Sequence, residues 1–196
     1  TNCRTKLVKG HIFCTFPAQI KTMKRLLLTV VLGMFACPVF TQGFDPDSSY
    51  IEFKASNWWV NTVSGTIKGW EGTVAWDAEN PRQSEFDITA KVKTIHTDNE
   101  ERDEHLRSAD FFHVEQYPLV RFESIRINDL PDAGYIAVGN LTIKDVTQEV
   151  LLPFEVKSGK LVGEMTINRL EYNLGEDEST FSIGKEITVE IVCDLQ

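Results

Sequence analysis

Arg102-Asp103-Glu104-His105-Leu106-Arg107-Ser108-Ala109-Asp110-Phe111-Phe112-His113-Val114-Glu115-Gln116-Tyr117-Pro118 is the one stretch beyond residue 42 that reads as a helix. Just upstream, Thr97 and Glu100 stand at capping-box spacing. Glu101 with His105 and Asp103 with Arg107 form i,i+4 pairs. These signals predict one short helix near residues 98–109, and Pro118 stops any continuation and opens the next strand. A lone helix ending in Phe111, Phe112 and Tyr117, inside a chain of strands, predicts a plug on one end of a barrel.

On both sides of this segment the apolar residues recur at every second position. Tyr50 to Ala55 alternates apolar and charged, and Gly72 to Trp76 follows a Gly-rich bend at Gly65 and Gly69. The same period runs through Phe86, Ile88, Ala90 and Val92, through Val150, Leu152, Phe154 and Val156, and from Ile187 to Leu195. Period two gives each strand one apolar face. Between Phe122 and Ile125 the phase slips by one residue, which predicts a β-bulge. Polar segments such as Asn128–Gly134 and Ser158-Gly159 fit hairpin connections. With eight or nine strands and no βαβ rhythm, the chain must close into a barrel or pack as a sandwich.

The N-terminal part has a different character. Met23-Lys24-Arg25 leads into the ten-residue apolar run Leu26–Phe35, too short for a bilayer span of roughly 20 residues. We read residues 23–42 as a secretory signal peptide, residues 1–22 as an upstream, non-native extension, and residues 43–196 as the folded domain. This predicts a periplasmic or secreted protein; Ala36-Cys37 gives only a poor match to a lipoprotein acylation site. All 29 acidic residues but only 14 of the 20 basic ones lie beyond position 42, a net of −15. Such a surface repels phosphate backbones and excludes nucleic acid as a partner. The domain keeps Cys193 alone, in an alternating apolar strand, so we expect a buried, inert thiol and no internal disulfide.

Catalytic and metal-binding patterns are weak. His96, His105 and His113 are nine and eight residues apart, without the short spacing that puts metal ligands on one face. There is no Gly-x-Ser-x-Gly elbow and no glycine loop between a strand and a helix. We therefore assign no catalytic residue, no metal and no cofactor. Aromatic residues are the stronger signal, because an eight-stranded barrel is just wide enough to be filled by side chains or to hold one small ligand. An apolar interior favours a hydrocarbon tail by roughly 0.8 kcal/mol per methylene.

Several motifs resemble one family. Arg102-Asp103-x-His105-Leu106-Arg107-Ser108-x-Asp110-Phe111-Phe112 with Tyr117-Pro118-x-x-x-Phe122-x-Ser124 is similar to the signature of the YceI-like family. Gly139-Asn140-Leu141-Thr142-Ile143-Lys144-Asp145-Val146-Thr147, Arg169-Leu170-Glu171-Tyr172-Asn173-Leu174-Gly175 and Gly184–Val189 resemble its later segments, in order, from about Asp45 to the C-terminus. Asp145 stands where the family usually has glycine, and Trp70 where it has phenylalanine. The resemblance implies an all-β, lipocalin-like, eight-stranded antiparallel barrel with an associated helix. It also implies an exported protein that buries a polyisoprenoid, quinone-like or fatty amphiphile, for transport or storage and without catalysis.

On this reading the ligand-binding residues are Phe53, Trp58, Trp70, Trp76, Phe86, Phe111, Phe112, Tyr117, Phe122, Phe154, Met165 and Ile191. The bound species is an isoprenoid lipid or quinone; transient membrane contact and homodimer formation stay open. Two rival readings remain. One is a small-molecule lyase or hydrolase with His105 or His113 turned inward. The other is an envelope stress or interaction module whose barrel is packed solid by its four tryptophans.

Overall fold

The computed structural model describes residues 43–56, 62–131, 133–178 and 183–196. The readings of residues 1–42 as extension and signal peptide, and those of Cys37 and Trp58, lie outside the described residues. Nine strands form in chain order: β1 (Phe44–Ser56), β2 (Thr62–Ile67), β3 (Trp70–Ala75), β4 (Glu85–Lys91), β5 (Leu119–Leu130), β6 (Gly134–Ile143), β7 (Val146–Lys157), β8 (Lys160–Asn168) and β9 (Glu186–Leu195). The one α-helix among the described residues, α1 (Glu100–Arg107), stands between β4 and β5.

All nine strands join one antiparallel sheet in the order β2-β1-β9-β8-β7-β6-β5-β4-β3. From β3 to β9 each strand pairs with its sequence neighbour, and the chain's first strand then pairs with its last through contacts such as Phe53 with Val189. The sheet curls so that β1 returns toward β3, with the rings of Phe44 and Trp70 6.0 Å apart. The two terminal strands β2 and β3 are not hydrogen-bonded to each other. The architecture is thus a curled half-barrel of the expected all-β class, with nine strands rather than eight.

The extra strand is β2, which a sequence reading takes for a Gly-rich bend. Gly65 sits directly opposite Phe53. A Cβ there would lie 2.5 Å from the Phe53 ring, so this glycine makes room for an inward aromatic rather than turning the chain. The turn is at Gly69, whose φ is +72°. Elsewhere alternation holds: Leu161, Met165 and Ile167 of β8 and Val189, Cys193 and Leu195 of β9 are buried. The phase slip in β5 is a bulge between Ser124 and Arg126, leaving Ile125 exposed and Ile127 buried. Ser158 and Gly159, with φ of 52° and 77°, make a tight hairpin turn of the kind that matches strand twist.

Candidate functional site

The inward faces of the strands do not fill the space they enclose. They leave a cavity of about 610 Å³, in the range of small-molecule sites. Its wall is overwhelmingly apolar, with residues from all nine strands, and α1 with the following aromatic corner covers one end. Of the residues expected to bind ligand, Phe53, Trp70, Phe86, Phe111, Phe112, Phe122, Met165 and Ile191 line this cavity.

Three others do not line it. Trp76 and Phe154 lie on inward faces, but at the end where β3 and β7 finish and β6 begins. There they pack with Tyr135, at ring separations of 4.8 Å (Trp76–Tyr135), 5.7 Å (Trp76–Phe154) and 5.4 Å (Tyr135–Phe154). The two Trp76 pairs are edge-to-face and the Tyr135–Phe154 pair is tilted, and the three rings pack into a plug that closes the barrel floor. Phe86 bridges the two regions, its ring 5.6 Å from that of Phe154. Tyr117 is half-buried outside the cavity, against the ring of His113 and with its hydroxyl accepting from Gln116. Trp58 lies outside the described residues.

The end cap is held by polar groups whose roles the sequence hid. Asn99, not Thr97, caps α1, its side chain accepting from the Arg102 N–H. Thr97 instead donates its hydroxyl to Asp103 Oδ1 at 2.5 Å, and His96 Nδ1 stands 3.1 Å from Asp103 Oδ2. Asp103 is fully buried. Burial pushes its carboxyl up, but the bonds from Thr97 and His96 outweigh that and hold it below the ordinary carboxylate range. The expected Asp103–Arg107 pair is absent among the described residues: Arg107 donates to the Ile95 carbonyl at 2.9 Å and meets Glu100. His96 in turn pairs with Thr66 of β2 through two backbone hydrogen bonds of 2.9 and 3.0 Å. A continuous chain of contacts thus ties the helix to the edge of the sheet.

Arg169, just after β8, is 2% exposed, and among the described residues its guanidinium bonds to backbone carbonyls rather than to a carboxylate. Its Nε donates to the Gly184 carbonyl, its Nη1 to those of Leu174 and Gly175, and its Nη2 to those of Glu178 and Ile183. These five bonds consume all five guanidinium N–H groups. They shape the segment between β8 and β9, against which the corner after α1 docks: the Phe111 ring leaves no room for a Cβ at Gly175 (2.6 Å). Desolvation pulls the Arg169 pKa down without discharging a group this basic. Tyr172, also buried, is pushed up to about 12 by burial, and the Cys193 thiol on the cavity wall to about 11 for the same reason.

Sequence reasoning missed Leu106, Ile67 and Ile88 as cavity residues, although Ile88 lies in phase with Phe86 on β4. It also missed Arg169, whose signal was a charge at the end of the alternating run of β8. Among the described residues no cluster of histidine, cysteine and carboxylate side chains is placed to hold a metal. No helix among them is long and apolar enough to cross a membrane.

A curled antiparallel sheet around an apolar cavity, with a short helix over its end, defines a lipocalin-like class of protein. The YceI-like domain model matches residues 43–195, and the chain belongs to the YceI-like family. A UPF0312 protein of Ectopseudomonas mendocina is 28% identical over 159 residues, covering 76% of this chain and 81% of that one. One from Photorhabdus laumondii is 32% identical over 108 residues, 55% of this chain; the match spans only 56% of that relative's length. Among solved structures, Burkholderia cenocepacia BcnA superposes with a TM-score of 0.70 at 21% identity, covering 76% of this chain and 98% of BcnA. A polyisoprenoid-binding domain from Saccharophagus degradans gives 0.59 at 12% identity, covering 78% and 96%. At these identities the structural matches establish the shared fold.

Proposed function

We propose that this protein is an exported carrier that holds one long-tailed apolar or amphipathic lipid, of polyisoprenoid, quinone-like or fatty type, inside the half-barrel for transport or storage. The observation that carries this reading is the apolar cavity of about 610 Å³, walled by all nine strands and covered by α1. The polyisoprenoid-binding neighbour in Saccharophagus degradans supports it by analogy of fold. The mechanism is burial: tail methylenes leave water at roughly 0.8 kcal/mol each, and the length and shape of the cavity set selectivity. Binding rather than catalysis fits the polar groups near the mouth, where Arg169 is committed to carbonyls and His105 faces Asp110 and Glu178 at 3.5 and 3.9 Å.

Placing a carboxylate in the wall tests this directly. Phe122→Asp and Met165→Asp should abolish co-purification of lipid, while circular dichroism still reports the β-sheet. If lipid accompanies both folded variants in wild-type amount, the cavity is not where it binds.

A further inference from the structure

Resting on that lipid-binding reading, we infer that the lipid enters and leaves the cavity sideways, through a gap in the sheet between β7 and β8, with Met165 as the side chain that opens and closes it. The two strands pair only from Phe154 with Gly163 to Lys157 with Lys160. Past that point residues 146–153 of β7 pair with β6 alone, and residues 164–168 of β8 with β9 alone. A proline accounts for the break. The Pro153 carbonyl oxygen points toward β8, 3.0 Å from the place a Cβ on Gly163 would take. Within a strand the N–H and C=O of one residue point the same way, and proline has no N–H to offer there. The ladder to β8 therefore stops at Pro153, which leaves β7 an edge on that side.

The gap holds a second hollow, of about 290 Å³, lined by residues 148–151 of β7, residues 165–168 of β8, and Glu171 and Tyr172. Met165 and Ile167 line both this hollow and the main cavity, so a single layer of side chains separates the two. Of that pair methionine, unbranched and with three rotatable bonds, turns aside more readily. Leu151 stands on the outer rim, 57% exposed, the most exposed large apolar side chain among the described residues. It offers an arriving hydrocarbon tail its first apolar contact. Opening here needs only side chains to turn, because no strand ladder spans the gap. Lifting α1 would instead break the bonds of Asp103 and Arg107, and entry through the floor would unpack three aromatic rings.

The test bridges the gap reversibly and reads transfer rates. Leu151→Cys/Thr166→Cys replaces two exposed residues that do not line the main cavity. The pair would be joined by a flexible bis-methanethiosulfonate in a full-length, delipidated chain whose own cysteines are alanine. Ser64→Cys/Thr73→Cys, two exposed positions bridged across the seam between β2 and β3, is the control. Stopped-flow fluorescence with dansyl-labelled undecanoic acid would give the rate of uptake and the rate of release to phosphatidylcholine vesicles. The β7–β8 bridge should slow both rates by about tenfold, a barrier about 1.4 kcal/mol higher, and leave Kd unchanged. Dithiothreitol should restore both rates, and the seam bridge should change neither. Rates untouched by the β7–β8 bridge, equal slowing by the seam bridge, or a weakened Kd without slowed exchange overturns the inference alone. A probe that binds neither the bridged nor the unbridged protein overturns the lipid-carrier reading beneath it.

Discussion

Among the described residues Arg169 holds the most backbone, with five carbonyls depending on its side chain. Removing a buried donor leaves each acceptor with a desolvation cost of about 1–3 kcal/mol wherever water cannot replace it. We expect Arg169→Met to lose at least about 3 kcal/mol of stability in urea unfolding. A loss within the range of an ordinary surface substitution would mean that the segment holds itself. Cys193 gives a contrasting expectation. Burial lifts its thiol to about 11, so it stays protonated and shielded at neutral pH. A maleimide should leave the native protein unlabelled and label it fully in denaturant; rapid native labelling would show the wall near Cys193 to be open.

Among the elements, α1 is the one whose anchoring decides whether the cavity is covered. Its anchor is Asp103, with a folded-state pKa held below the usual value of 3.8. A depressed carboxylate stabilises the fold above its unfolded pKa, and that contribution is lost as pH falls through the folded one. The stability gap between wild type and Asp103→Asn should thus be constant above about pH 4 and shrink below it. A gap that changes instead between pH 5 and 8 would trace to another group. Strand faces were legible in the sequence because period two fixes which side each residue takes. That is why Phe53, Phe122, Met165 and Ile191 were placed on the interior. Alternation says nothing of height along a strand, so Trp76 and Phe154 were put at the ligand when they close the floor. β2 was lost because a glycine opposite an aromatic ring looks, in sequence, like a glycine in a bend. Asp103 was read as a surface partner of Arg107 because a fully buried aspartate is rare unless paired; its partners, Thr97 and His96, lie before the helix.

For the molecule as a whole, an apolar cavity in a domain without an internal disulfide ties stability to occupancy. A ligand that binds only the folded state adds about 2.7 kcal/mol at a hundredfold excess over Kd. Extraction with organic solvent followed by refolding should lower Tm by several degrees, and adding back the extracted lipid should restore it. An unchanged Tm would mean that the cavity is empty at rest. The central claim, that the half-barrel carries a lipid, is tested most directly by native mass spectrometry of protein purified gently, without detergent, from the cells that make it. One hydrophobic adduct per chain is expected, released by solvent and identified as a long-tailed lipid. A clean mass of the bare polypeptide under the same handling would contradict it.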